Sequence, residues 1–341
     1  MRQSSSVLFA TVAVGLFVVG CTGARAAQTG NIVPQTSKPA SVVPEARRQK
    51  GSIVPALHGV PAPPPWKNNI YAAQFLVDTT VHGYISPSCP VPGVASVNDI
   101  ATDTQGNLIV PNAFAGVNLY QGPNMCGPLL GTFSDTYGQA SDAAAINATV
   151  GVIVVANILG PSFVVVCTTA TISCTQLTPA APGFGEVYGV TMALNGTCYA
   201  SGYNAALTTA QLTYWPGCKG TGINATGFLN SSPGGLDIDG HHNLVSIDYD
   251  VNGSGISHVR VYAGCNPTCT AVADDVLTNG EAVFGHLNND SKRFVVGNFQ
   301  YGQIDIYSYT PTTLTYRYSF KGGLTTADLV EGAAYKPASQ Q

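Results

Sequence analysis

The sequence feature that most constrains the fold is a motif that recurs about every 45 residues. Each copy contains a short apolar segment, a polar Asn/Gly turn and a second apolar segment. The second segments begin at residues spaced 45, 45, 46 and 50 positions apart: Leu108, Ile153, Cys198, Leu244 and Phe294. A fixed period of this length indicates a repeat architecture, in which each unit packs on its neighbours.

Each repeat continues with a third apolar segment and a fourth, more polar one. The third segments are 117–120, 163–166, 211–214, 259–262 and 304–307, and 314–320 is a fourth segment. Alternation at period two, punctuated by Gly, Asn and Pro, is typical of strands. Four strands in about 40–45 residues match one propeller blade. The sequence therefore predicts an all-β propeller with four-stranded blades.

The two ends of the repeat region complement each other. Residues 331–337 form a first strand with no second strand after it, whereas 70–73 and 81–85 form second and third strands with no first strand before them. Joining the ends makes one further blade and removes two exposed sheet edges. We therefore expect six blades, the closing one shared between the N- and C-terminal segments.

The repeat resembles that of NHL-like and YncE-like propellers of bacterial envelopes. The resemblance is carried by Asp103-x-x-Gly-Asn-Leu-Ile-Val110 and by the strand that ends at Tyr120, and it covers residues 70–337. The motif varies between copies, because Asp103 corresponds to Asn147 and then to Ala193. The resemblance implies a fold but no particular ligand, since propellers host many functions.

Charged side chains are scarce, and this composition excludes one class of partner. They make up 9% of the chain, the net charge is −4 and no basic stripe occurs. Nucleic-acid binding needs clustered Lys and Arg, so nucleic acid is not an expected partner. A protein, glycan or small-molecule ligand remains open.

The N-terminal region has the sequence features of an export leader followed by a tether. Residues 1–27 contain a short apolar run typical of an export signal. Val18-Val-Gly-Cys21 resembles a lipobox, in which Cys21 is lipidated, and Ala24-Arg-Ala26 offers ordinary signal cleavage instead.

Residues 28–68 are Pro-rich and are expected to form an extended, disordered linker without a core. The propeller is assigned to residues 69–341, outside the cytoplasm, with the membrane involved only through the lipid.

Eight cysteines follow Cys21, and an even number in an exported chain favours disulfides. Two pairs are close enough to close a hairpin loop, namely Cys167 with Cys174 and Cys265 with Cys269. Four cysteines are left without an assigned partner: Cys89, Cys126, Cys198 and Cys218.

A site at the mouth of the central channel is the sharpest functional hypothesis. The loops that enter the first strands carry polar residues that could converge there: Asn98, Asp99, Asp142, Tyr188, Asp237, Glu281 and Glu331. Oxygen ligands of this kind suit Ca²⁺, and propellers resembling gluconolactonase use such an arrangement. The alternative interpretation is that these residues face channel water.

Other conspicuous residues point to no chemistry. His241 and His242 fall in the turn between first and second strands, His286 is placed in the equivalent turn, and all three are expected on the surface. No nucleophile elbow or phosphate loop occurs. The favoured function is a non-catalytic binding or scaffold module of the cell envelope. The alternatives are a metal-dependent lactonase or hydrolase and an adhesin-like protein.

Overall fold

A computed structural model describes residues 69–74, 80–84, 89–90, 99–103, 106–112, 116–121, 128–133, 141–147, 151–158, 162–170, 173–251, 254–321 and 330–336. Every described residue lies in one compact unit, Ser52–Gln341. The predicted leader, including Cys21, and the predicted linker lie outside the described residues. No helix in the described part of the chain is long and apolar enough to cross a membrane.

Five four-stranded sheets each take their strands in sequence order. Blade 1 contains β4 (Ala101–Thr102), β5 (Leu108–Asn112), β6 (Gly116–Tyr120) and β7 (Leu129–Phe133). Blade 2 contains β8 (Ser141–Asn147), β9 (Val152–Asn157), β10 (Phe163–Thr168) and β11 (Ser173–Gln176). Blade 3 contains β12 (Phe184–Met192), β13 (Cys198–Asn204), β14 (Ala210–Trp215) and β15 (Ile223–Asn224), with a 3-10 helix at Pro216–Cys218. Blade 4 contains β16 (Pro233–Ile238), β17 (Leu244–Asp248), β18 (His258–Ala263) and β19 (Thr270–Val276). Blade 5 contains β20 (Gly285–Leu287), β21 (Arg293–Asn298), β22 (Gln303–Thr310) and β23 (Thr313–Phe320).

A further sheet, the terminal sheet, joins the two ends of the repeat region. Its strand order is β24 (Val330–Lys336), β1 (Asn69–Gln74), β2 (Thr80–Tyr84) and β3 (Cys89–Pro90). The pairing of β24 with β1 is antiparallel, with Tyr335 opposite Ile70 and Ala333 opposite Ala72. The C-terminal strand thus supplies the first strand that the N-terminal segment lacks.

The first strands of successive sheets lie against one another. Contacts join β4 to β8, β8 to β12, β12 to β16, β16 to β20, β20 to β24 and β24 to β4. Backbone bonds reinforce these contacts, since Gly235 N donates to Val283 O at 2.8 Å and Phe284 N donates to Glu331 O at 3.2 Å. The buried apolar residues form clusters that span neighbouring sheets. This arrangement confirms the predicted all-β propeller with four-stranded blades.

The turn between first and second strands explains the sequence motif. In blade 4, Asp239 Oδ1 accepts from the backbone amides of His241 and Asn243, each at 2.8 Å, and Oδ2 accepts from Asn243 Nδ2 at 2.9 Å. Asp103 caps the blade 1 turn in the same way through Asn107. In blade 5 the capping residue is Asn288, whose Oδ1 accepts from the amides of Lys292 and Arg293. The Asp/Asn of the motif is therefore a turn cap, a common role for short polar side chains.

Candidate functional site

A carboxylate–imidazole–carboxylate chain, here called the axial triad, lies inside the ring. It consists of Asp237 at the end of β16, His286 in β20 and Asp99 in the segment that enters β4, and all three are buried. His286 Nε2 lies 3.2 Å from Asp99 Oδ1, and Nδ1 lies 3.7 Å from Asp237 Oδ2. The terminal sheet stands between blade 5 and blade 1 around the ring, so the bond from His286 to Asp99 crosses the inside of the ring.

The backbone fixes Asp237 in this position. Its Oδ1 accepts from the amide of Ile238 at 2.7 Å, and its Oδ2 accepts from the amide of Leu287 in the next blade, also at 2.7 Å. Each carboxylate oxygen therefore has a donor from the main chain. These two bonds hold the Asp237 carboxyl group beside the imidazole of His286.

Burial and charge act in opposite directions on His286. Burial lowers its pKa, but the neighbouring carboxylates of Asp99 and Asp237 outweigh this effect and raise the pKa to about 10. Burial raises the pKa of Asp99, against the charge and hydrogen bond of His286. The ring of His286 is therefore an imidazolium at neutral pH, held between two carboxyl groups.

This arrangement is suited to holding blades together rather than to proton transfer. A general base works best when its pKa lies near the working pH, and a histidine with a pKa of about 10 keeps its proton there. Ca²⁺ takes six to eight oxygen ligands, whereas both carboxylates of the triad flank a protonated ring. Within the described residues no group of three or more His, Cys, Asp and Glu side chains is arranged to hold a metal ion. The triad does not fit the Ca²⁺ of the sequence hypothesis.

A second polar cluster contains other residues of the predicted channel mouth. The hydroxyl of Tyr188 donates to Glu186 Oε2, and the ring of Tyr188 meets that of Tyr203 edge-on at 6.1 Å. Burial raises the pKa of Tyr203 to about 12, and it also raises that of Tyr249, with Glu281 adding to the shift. The hydroxyl of Tyr188 thus lies beside the Glu186 carboxylate, with the ring of Tyr203 next to it.

The predicted mouth residues are only partly brought together. Asp99 and Asp237 meet on either side of His286, and Tyr188 and Glu281 belong to the second cluster. Glu331 is buried in β24, where its carbonyl accepts from Phe284 N. Asn98 lies outside the described residues, as does the side chain of Asp142.

The surface-turn prediction for His286 is wrong. The turn caps Asp103, Asp239 and Asn288 occupy equivalent positions in their blades. The residues two positions before them are Ala101, Asp237 and His286. These three residues also pair with equivalent positions of the second strand. The fifth turn is longer than the others, so alignment on apolar residues displaced His286 into it. Alignment on Asn288 would have placed it in the strand. His241 and His242 are exposed in their turn, as expected.

Three disulfides occur among the described residues. Cys167 is joined to Cys174 and Cys265 to Cys269, which are the two pairs predicted from spacing. A third joins Cys198, at the start of β13, to Cys218 after β14. A closed loop of this length contributes about 3 kcal/mol in the chain-entropy description. Such bonds persist in oxidising compartments and indicate an extracytoplasmic environment.

Comparison with known proteins supports the fold alone. No family model matches the chain, and no curated protein matches its sequence. Among solved structures, a chain of a nidogen/laminin complex is similar with a TM-score of 0.56 and 10% identity, covering 80% of this chain and 99% of that one. A hydrazine synthase structure from Kuenenia stuttgartiensis is similar over 63% of each chain, with a TM-score of 0.49 and 13% identity. A Bacteroides fragilis 6-phosphogluconolactonase candidate has a TM-score of 0.49 and 10% identity, covering 81% of this chain and 99% of that one. The fold defines the class of protein, a β-propeller.

Proposed function

We propose that this chain is an exported β-propeller that acts as a non-catalytic binding module on the bacterial cell envelope. A lipid on Cys21 anchors it, and residues 28–68 tether the folded head. The ligand is a protein, glycan or small molecule. Six blades form a closed ring, with the terminal sheet as the closing blade. The cyclic contacts of the first strands support this closure.

The observation that carries the binding role is a set of loops fixed by disulfides on one face. In blades 2, 3 and 4, each disulfide closes or borders the connection between the third and fourth strands. Because successive strands alternate in direction, these connections lie on the same face as the turns between first and second strands. We call this the stapled face. Ordered loops lose little freedom on binding, so they favour affinity, and binding residues concentrate on loops held by a rigid scaffold.

Two observations favour a protein as the partner, namely the stapled face and one structural comparison. A structural neighbour of the fold comes from a complex between two proteins, nidogen and laminin. The low charge of this chain suits recognition by shape and apolar contact rather than by electrostatic attraction. A protein partner is therefore the first class to examine.

Lipid anchoring has a direct test in the full chain. Expressed in a diderm bacterium with labelled palmitate, the wild type incorporates label and sediments with membranes, because the acyl chains partition into lipid. Cys21→Ala incorporates none and is recovered in the soluble fraction. The matched control is Ala24→Asp, which disrupts the ordinary cleavage site and leaves labelling intact. Labelling of Cys21→Ala would contradict anchoring at this residue.

The rival function is a metal-dependent lactonase or hydrolase of gluconolactonase type. If the chain is a binding module, millimolar CaCl₂ leaves its thermal midpoint unchanged, and gluconolactone disappears at the rate seen in buffer alone. A ligand present at 100 times its dissociation constant stabilises a fold by about 2.7 kcal/mol, so a calcium site would raise the midpoint by several degrees. Calcium-dependent hydrolysis that Asp237→Asn abolishes would overturn the binding role.

A further inference from the structure

A small cavity opens between blades 3 and 4, on the stapled face. Its volume is about 190 Å³. The apolar part of its lining comes from Ala193, Ile238 and Leu244, and the ring of Tyr199 forms a further wall. These four side chains also belong to one buried cluster between the two blades, so the cavity is an opening into the interblade core.

Polar groups border the same cavity. Asn195 and His242 line it from the turns of blades 3 and 4, and Cys265 lines it from the loop after β18. The Oδ1 atom of Asn195 accepts from the amide of Thr197 at 2.9 Å, which leaves its Nδ2 group as a donor toward a ligand. An apolar floor with a few placed polar groups is typical of a ligand pocket.

The backbone holds these walls in place before any ligand arrives. Asp239 caps the turn that carries His242 through two backbone amides at 2.8 Å. The disulfide to Cys269 closes the loop that carries Cys265. Because the walls are fixed, binding needs little ordering of the protein.

His242 stands where the other turns favour glycine. Its φ is 65°, in the left-handed region that glycine adopts without strain and that Asn, Asp and His adopt more often than other side chains. The corresponding turns of blades 1, 2 and 3 place glycine there, with φ of 78° at Gly106, 65° at Gly151 and 80° at Gly196. Glycine would relax the turn of blade 4, and the imidazole that takes its place lies beside the cavity.

The size and lining of the cavity select one ligand chemistry. A cavity of about 150 Å³ lined by apolar side chains accommodates benzene, so one ring with a small substituent fits here. His242 and Asn195 can hydrogen bond to a hydroxyl at the rim. We infer that this cavity is a binding site for a single neutral phenolic ring, supplied by a free phenol or by a tyrosine side chain of a partner. This inference deepens the binding role proposed above and rests on it.

The test uses p-cresol and a capped Gly-Tyr-Gly peptide, titrated into the full chain and followed by NMR. We expect p-cresol to bind with a dissociation constant on the order of 1 mM, as suits so small a ligand. His242→Gly relaxes the turn, so it folds, and it weakens binding about three- to tenfold through the lost hydrogen bond. Ala193→Leu fills the cavity and abolishes binding. If the peptide binds at the same residues, the natural ligand is a tyrosine side chain of a partner protein. If only p-cresol binds, the natural ligand is a free phenol.

A matched control isolates the cavity. His241→Ala removes the exposed neighbouring imidazole of the same turn and leaves p-cresol binding unchanged. Equal binding by the wild type and Ala193→Leu, or no binding by the wild type at about ten times the expected constant, would overturn the phenolic site. Neither result involves calcium or lactones, so the proposed binding role is judged separately.

Discussion

Replacing His286 with leucine lowers the free energy of unfolding by about 3–5 kcal/mol, the usual effect of removing one partner from a buried ion pair. The variant leaves the carboxyl groups of Asp99 and Asp237 buried without the cation between them. Urea denaturation at pH 7 measures the loss, with the slope of the transition checked for two-state behaviour. Blades 1, 4 and 5 all contribute to the triad, so we expect the whole ring to be destabilised.

Two further variants separate the charge effect from loss of volume. His241→Leu changes an imidazole that is 72% exposed and shifts stability by about 0.5 kcal/mol or less. The double variant Asp99→Leu/His286→Leu loses less than the sum of the two single variants, because neither member of the Asp99–His286 pair is left buried without the other. Strict additivity, or a loss below about 1 kcal/mol in His286→Leu, would show that the triad does not hold the blades.

The fold was predictable because its signal is local and repeated. The sequence predicts second strands that start at Leu108, Ile153, Cys198, Leu244 and Phe294. In the structure each second strand starts at that residue or one residue earlier. The terminal pairing was predictable from strands missing at each end, and β24 does pair with β1. Apolar alternation and turn chemistry are written into each repeat separately, so no long-range information was needed.

The site was less predictable because it depends on contacts between distant repeats. His286 and Asp99 are 187 positions apart, and no spacing rule joins them. Their contact depends on the register of the short strand β20 (Gly285–Leu287) and on the segment before β4 that carries Asp99. The partner of Cys198 was equally hidden, since the 3-10 turn that brings Cys218 back to β13 has no periodic signal.

The cavity between blades 3 and 4 shows a third limit. The residues that line it come from two turns, two strands and a disulfide loop. The sequence marked His242 as conspicuous and assigned it to a surface turn, which is where it lies. Its left-handed backbone is shared with the glycines at the same place in blades 1, 2 and 3, a correspondence that the capping residues define and the apolar pattern does not.

Stability should fall as the pH rises above neutrality, and the axial triad is the reason. The pKa of His286 is raised from 6.5 to about 10 on folding. Its contribution is therefore complete below pH 6.5, where folded and unfolded chains both carry the proton. Between pH 6.5 and 10 only the folded chain keeps it, so the free energy of unfolding falls by at most about 1.4 kcal/mol per pH unit. Above pH 10 the contribution is lost.

The reference for this measurement is the Asp99→Leu/His286→Leu variant. The pKa of Asp99 is also raised, so its titration lowers stability with rising pH as well, and the double variant removes both groups. Other carboxyls act in the opposite direction, since the ion pair with His258 and Arg260 lowers the pKa of Asp274 against the effect of burial. Subtracting the urea stability of the double variant cancels them. The difference between the two proteins should shrink steadily from pH 6.5 to 9.5, and a difference that stays constant over this range would mean that His286 carries no extra proton in the folded chain.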